Sequence, residues 1–345
     1  MIMKIQLSDH FTYKKLFRFT LPSVVMMIFT SIYGVVDGFF VSNFVGKTPF
    51  AAVNFIMPFL MILGAVGFMF GTGGSALISK TMGEGDRVRA NRLFSMFVYI
   101  SAACGIIIAV FGIIFLRPNS SLLRLTKTKF YGRSLLVGCI NGSSELMSNI
   151  SMSLIGMLYN VQLMKFAGED GVAAYGVLMY VNMIFLAAFI GYSVGTAPVI
   201  GYSYGAKNSV ELKNMFKKSF IIIGTLSVIM FASAELFAVP LSKVFVGYDP
   251  SLLEITKRGF VIYSFSFLFA GIAIYGSAFF TALNNGLISA LISFLRTLVL
   301  QVVAVLILPV IWGVDGIWIS IVAAELLAAV ITVILLAAKR SQYRY

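Results

Sequence analysis

Asp37 is an acidic residue deep inside an apolar stretch, and Thr30, Tyr33 and Gly34 precede it at spacings that put all four on one face of a helix. Placing an ionised carboxylate in hydrocarbon costs roughly 2.5–3.5 kcal/mol on insertion scales, so an acid at this position is a functional candidate. In a low dielectric its affinity for a proton rises, and nearby oxygens can help it hold a sodium ion. One group could then alternate between loaded and empty. The structural alternative is a helix-packing contact whose carboxyl reaches water at the far end of the span.

A second polar stripe lies further along. Asn141, Glu145, Ser148, Asn149, Gly156 and Tyr159 fall within about a third of a helical circumference, while Ile140, Leu146, Ile150, Leu154 and Met157 occupy the other side. The polar side, which also holds Met152, wants protein or water, and the apolar side wants lipid. Glu145 is the second candidate for a titrating or cation-binding carboxylate, against the alternative of a side chain bonded to neighbouring Ser and Asn residues. Arg296 and Glu325 also sit inside apolar runs, joined by a short turn, and adjacent antiparallel helices would let them form a structural ion pair.

Several chemistries are excluded. His10 is the only histidine and precedes the first apolar stretch, so neither an HExxH zinc site nor a Ser-His dyad can form within the membrane. Cys104 and Cys139 fall inside apolar runs without the neighbours of a metal or redox motif. No cofactor and no metal are expected. The net charge of +13 does not point to nucleic acid, because the lysines and arginines lie in short connections between apolar runs, where they act as orientation signals.

The elements that carry these residues are transmembrane helices. Apolar residues make up 59% of 345 positions and charged residues 11%, against roughly half and a quarter in a soluble domain. Apolar stretches near the ~20 residues that a crossing helix requires recur from Leu16 to Ala338. The pattern predicts an all-α polytopic membrane protein with about nine spans, near 16–42, 50–80, 91–116, 133–161, 172–203, 213–240, 256–283, 286–311 and 315–338. The connections pose a conflict. Lys4 to Arg18 and Lys80 to Arg92 want the cytoplasm, yet after three crossings the basic stretch from Arg117 to Arg133 would emerge outside. The C-terminal block is expected to keep Arg124 to Arg133 and Lys339-Arg340 cytoplasmic, leaving the first three spans to absorb the frustration.

An internal repeat bears on this. A gapless shift of 122 positions superposes Gly34 to Phe94 on Gly156 to Phe216, matching Gly46 with Gly168, Ala51-Ala52 with Ala173-Ala174, Gly73 with Gly195 and Gly83 with Gly205. Tyr159 is then the counterpart of Asp37. Duplicated halves are a recurrent transporter architecture. The second copy continues for about 200 residues and the first for about 100, a difference of roughly three spans.

The repeat boundaries carry a resemblance. Asp37-Gly38-Phe39-Phe40-Val41-Ser42-Asn43-Phe44-Val45-Gly46, Ala51-Ala52 and Gly83-Glu84-Gly85-Asp86 resemble the opening lobe of the multidrug and toxic compound extrusion (MATE) family. Gly195-Thr196-Ala197-Pro198, Gly201-Tyr202-Ser203-Tyr204-Gly205-Ala206-Lys207-Asn208 and Gly313-Val314-Asp315-Gly316-Ile317-Trp318 are similar to its second-lobe signatures. The resemblance implies a transporter, not an enzyme. It implies two lobes of six helices, and export of organic, often cationic compounds in exchange for sodium ions or protons across the plasma membrane. Asp37 would be the main cation-coupling carboxylate and Glu145 a secondary one, with a substrate cavity lined by Thr30, Tyr33, Asn141, Ser148, Asn149, Met152 and Tyr159. This chain departs from the plan by passing from its third span into the linker that normally follows the sixth. The expected organisation is therefore a three-helix half-lobe over 1–116, a basic linker over 117–132 and a six-helix lobe over 133–345. The alternatives are a transport-incompetent remnant, or a flippase for a lipid-linked sugar, whose phosphate would call for more intramembrane cations than Arg296. Lipophilic or cationic small molecules and the lipid bilayer are the expected partners, and a dimer that completes the broken lobe remains open.

Overall fold

A computed structural model describes residues 6–40, 67–104, 131–247 and 249–345, and the side chains of Asp37, Cys104 and Glu145 lie outside that description. The described residues are helical, with no strand among them. Helix α1 runs Tyr13–Phe40, α2 covers 67–83, α3 is Arg87–Cys104, α4 Gly132–Gly205 and α5 Ser209–Val246. Then follow α6 Pro250–Ser264, α7 Phe267–Ala282, α8 Gly286–Phe294, a π turn Leu295–Val299 and α9 Leu300–Tyr343.

Polar residues at the turns set where helices begin. The Thr12 hydroxyl accepts from the Lys15 N–H at 3.3 Å, Asp86 from Arg89 at 2.8 Å, Asn208 from Glu211 at 3.0 Å and Asn285 from Ile288 at 3.3 Å. Each satisfies an N–H that the first turn leaves without a helical partner. Asp249 caps α6 in the same way, and the N–H groups of Leu252 and Ser251 hold its carboxyl below the usual carboxylate range.

Two glycines fold long helices into hairpins. A straight helix of 74 residues would be about 111 Å long, several times the thickness of a bilayer. Gly168, with φ 63°, reverses α4. Tyr159 and Tyr175 consequently stack with ring centroids 5.4 Å apart, where sixteen residues of straight helix would separate them by about 24 Å. Gly313, with φ 59°, does the same within α9, bringing Gly316 against the Leu308 carbonyl so closely that a Cβ would lie 2.3 Å from it. Both backbones occupy the region that L side chains avoid. The arms of α4 correspond to the expected spans 133–161 and 172–203, and those of α8–α9 to 286–311 and 315–338. Helices α6 and α7, bent by 51°, form the span expected near 256–283. Among the described residues four helices are long and apolar enough to cross a membrane, or five with that bent pair.

The exterior and interior follow membrane logic. Val310, Leu236 and Ile311 are among the large apolar side chains left exposed, whereas Ser219, Ser242, Ser320 and Thr332 are fully buried. Small polar residues inside let helices approach closely, as they do where lipid replaces water as solvent.

The two halves of the repeat meet backbone to backbone. A Cβ on Gly83 would sit 2.1 Å from the Tyr202 carbonyl oxygen, and one on Gly205 would sit 2.0 Å from the Lys80 carbonyl oxygen. Under the repeat, Gly83 corresponds to Gly205 and Lys80 to Tyr202. The two contacts are thus the same contact seen twice, across a pseudo-twofold axis. Deeper in, α1 crosses the second arm of α4 where Gly191 meets Val24, and α2 crosses the first arm where Gly73 meets Gly138 and Gly142.

One end of the molecule gathers the basic residues. Lys218 donates to the Phe11 carbonyl at 2.6 Å, Lys80 lies over the Tyr204 ring, Arg92 reaches the Tyr131 hydroxyl at 3.5 Å, and Asn285 bonds Tyr343 at 2.7 Å. These contacts place the starts of α1, α3, α4 and α5 and the end of α9 together. Helices α3 and α4 therefore leave the same end side by side, with Phe97 against Gly138. Arg133 joins Lys14, Arg87 and Lys207 there. Sequential crossing would have put it opposite them. The connection 105–130, with Arg124 to Lys129, lies outside the described residues.

Candidate functional site

The first arm of α4 is pinned at both ends of its polar stripe and open between. At one end Asn141 is buried; its amide donates to Asn284 Oδ1 and its oxygen accepts from the Gly286 N–H at 2.9 Å, fastening the turn between α7 and α8. At the other, the buried Tyr159 hydroxyl donates to Gln301 Oε1 at 2.6 Å and lies 2.9 Å from Ser320 Oγ. Between them Ser148 and Asn149 are half-buried and Met152 is 54% exposed. Glu145 falls between Asn141 and Tyr159 along the helix, and its side chain lies outside the described residues.

On α1 the equivalent stripe is less engaged. Thr30 donates to the Met26 carbonyl at 2.8 Å, which satisfies its hydroxyl locally, and Tyr33 is 72% exposed. Asp37 lies on α1, and its side chain lies outside the described residues. Among the described residues no hydrogen bond joins Thr30 or Tyr33 to the stripe of α4.

Arg296 and Glu325 meet. Arg296 Nε donates to Glu325 Oε2 at 2.8 Å, with side chains 15% and 9% exposed. Arg296 stands in the π turn, a geometry that recurs at functional positions in helices. Near the pair stand Tyr159 and Tyr263, with Tyr175 stacked on Tyr159 and Trp318 packed in the same apolar core. Tyr175, Tyr263, Gln301 and Ser320 are the members of this polar centre that the sequence pattern missed. Gln301 alone carried a signal, as an uncharged polar residue in an apolar run five positions after Arg296.

The N-terminal segment forms a clasp on α5. Glu211, 5% exposed, accepts from the Phe11 N–H at 2.8 Å and Asn214 Nδ2 at 2.8 Å, and lies 2.5 Å from His10 Nδ1. Asn214 and Lys218 donate back to the Phe11 carbonyl, at 3.0 and 2.6 Å. The Lys15 ammonium, 2.8 Å from Asp9, and the Gln6 N–H hold that carboxyl below its ordinary range. No group of three or more metal-ligating side chains occurs among the described residues.

Two apolar helical halves joined through glycines about a pseudo-twofold axis, each with polar side chains turned inward, define a membrane transporter fold. The sequence model of the MatE family matches residues 22–131 and 146–307, and the chain belongs to that family, whose members are transporters, not enzymes, and need no cofactor. Residues of this chain are 29% identical over 111 positions to the multidrug export protein MepA of Staphylococcus haemolyticus, covering 32% of this chain and 25% of that protein. They are 22% identical over 216 positions to MepA of Staphylococcus aureus strain MRSA252, covering 61% of this chain and 44% of that one. The matched regions thus span less than half of these relatives. The fold is similar to that of a multidrug resistance MATE family transporter of the MOP superfamily solved in its outward-facing conformation, with TM-score 0.84, 18% identity, and 95% and 96% of the two chains covered. A MOP superfamily transporter from Pyrococcus furiosus is equally similar, at TM-score 0.84 and 18% identity over 96% of each chain.

Proposed function

We propose that this chain exports lipophilic or cationic small molecules across the plasma membrane in exchange for sodium ions or protons. Membership of a family whose similar relatives are named multidrug export proteins is the observation that carries the reading. The open middle of the α4 stripe supports it. Ser148 and Asn149 offer hydrogen bonds there and Met152 offers a flexible, polarisable thioether, a combination that tolerates ligands of different shape. Asp37 is the principal coupling carboxylate and Glu145 the second. Loading Asp37 with a proton or sodium ion neutralises a charge on α1 and so alters what the adjoining surface of the lobe can face. The backbone contacts at the basic end let the halves separate there as units while their interiors stay packed.

The test is efflux of ethidium in a host lacking its own pumps. The chain should lower dye accumulation, and Asp37→Asn should abolish that effect while leaving membrane insertion unchanged. Wild-type efflux in the Asp37→Asn protein would remove Asp37 from the coupling role. Absence of efflux by the unaltered chain, with efflux restored when three helices are added to its first lobe, would support the remnant reading instead.

A further inference from the structure

The repeat relates the coupling carboxylate of one half to the polar centre of the other. Asp37 corresponds to Tyr159, and the Tyr159 hydroxyl stands among Gln301, Ser320, Arg296 and Glu325. Where the N-terminal half has a carboxylate with no cationic residue near it in sequence, the C-terminal half has a carboxylate already bonded to a guanidinium. Backbone geometry sets up this arrangement. In the π turn the Leu300 N–H bonds the Leu295 carbonyl, so residues five apart share a face and Arg296 aligns with Gln301. Glu325 is brought in from the other arm of the hairpin by the reversal at Gly313.

A guanidinium remains charged throughout the accessible pH range. A mobile cation can leave its carboxylate, but Arg296 is tied to its helix. We propose that Arg296 is a tethered cation: it fills on Glu325 the place that an exchanged ion fills on Asp37, so that one half of the transporter exchanges an external cation and the other is permanently loaded. This rests on the coupling role of Asp37 proposed above. Among the described residues the charged and titratable groups facing Glu325 are Arg296 from the π turn, Tyr159 from α4 and Tyr263 from α6. Arg296 is the one cation among them.

Removing the guanidinium should expose a dormant cation site. In Arg296→Ala, Glu325 becomes a buried carboxylate with no cationic partner, which gains stability either by taking up a proton or by holding sodium. Either uptake would make the stability of the chain depend on sodium or on pH. The experiment measures the thermal midpoint of the purified full chain in sodium chloride against choline chloride at equal ionic strength, at pH 8 and pH 6.

In an Asp37→Asn background, the midpoint should respond to neither sodium nor pH through this site. Adding Arg296→Ala should create a response on the order of a few degrees. Adding Glu325→Gln as well should erase it. A chain carrying Arg296→Ala that can be purified in sodium or at pH 6, but not in choline at pH 8, shows the same response. If alanine prevents folding in every buffer, Arg296→Gln makes the same comparison with less lost volume.

A folded Arg296→Ala or Arg296→Gln chain whose midpoint is indifferent to sodium and to pH overturns the proposal. So does loss of the unaltered chain's cation response on Glu325→Gln alone, since Glu325 would then already exchange an ion. Should Asp37→Asn leave the response of the unaltered chain intact, the coupling role of Asp37 fails. The difference between Arg296→Ala and Arg296→Ala with Glu325→Gln still decides the role of Arg296.

Discussion

Gly83→Ala tests whether the glycine contact at the basic end controls how the halves meet. The new Cβ would lie 2.1 Å from the Tyr202 carbonyl oxygen and 2.8 Å from the Ala206 nitrogen, both backbone atoms that cannot rotate away. Ordinary carbon–oxygen contact begins near 3.3 Å, so α2 and the second arm of α4 must part by about 1 Å. Overpacking of this kind costs roughly 1–3 kcal/mol, and it weighs on the conformation in which the basic end is closed. A bias of that size shifts the balance between closed and open by about 5- to 150-fold. Ser79, 5% exposed and close to Gly201, gives a reporter. Ser79→Cys, in a chain whose Cys104 and Cys139 are replaced, should react with maleimide faster by that factor once Gly83→Ala is added. Gly205→Ala should have the same effect, because its Cβ would meet the Lys80 carbonyl oxygen at 2.0 Å. The double variant should be little faster than either single one, since a face already opened by one clash does not feel the other. Unchanged labelling in the folded single variants, or fully additive effects, would refute the symmetric-gate reasoning.

Breaking the buried ion pair with Glu325→Gln should lower stability in detergent by about 3–5 kcal/mol, and Arg296→Gln in the same chain should restore part of it; strictly additive losses would show that the two side chains do not act together. Glu211→Ala leaves the Phe11 N–H and the Asn214 amide without their acceptor, at a cost of about 1–3 kcal/mol, and should speed tryptic cleavage at Lys14 and Lys15. Cleavage at the unaltered rate would mean that the clasp does not hold the segment. Cysteines placed at Thr128 and Ser209, in a chain without Cys104 and Cys139, should resist an impermeant reagent added to intact cells. Labelling of both would put the basic end outside.

The regularities that the sequence expresses directly concern solvent and period. Long apolar runs set the limits of the helical arms, while the reversals at Gly168 and Gly313 show only in their positive φ. The stripe on α4 was visible because one helical face concentrates polar types. Its division into pinned ends and an open middle was not. The bonds from Asn141 to Gly286 and from Tyr159 to Gln301 join residues more than 140 positions apart, and no local pattern records them. Tyr175 and Tyr263 were hidden for a related reason, since a tyrosine in an apolar run reads equally as lipid-facing. Loop charges grouped Arg133 with the other basic ends correctly, and counting crossings misled because it presumes that successive helices alternate in direction, whereas α3 and the first arm of α4 run parallel. The clasp was invisible because His10 and Glu211 each look like an ordinary charge beside a helix.

The π turn at Leu295–Val299 makes the polar centre depend on chain length as well as on residue type. Such a turn contains one residue more than α geometry would use for the same stretch. Excising a single position, Thr297 for instance, would leave both flanking helices able to form and every charged group in place. It would also leave Arg296 aligned with Gln301, because residues four apart share a face in α geometry as residues five apart do in the π turn. Inserting a further residue would instead turn Arg296 by about 100° relative to Gln301, the angle that one residue occupies on a helical wheel. The guanidinium would then point towards a different neighbour, and Glu325 would lose its partner without either residue having been substituted. Tolerance to deletion and tolerance to insertion should therefore diverge sharply over these five residues.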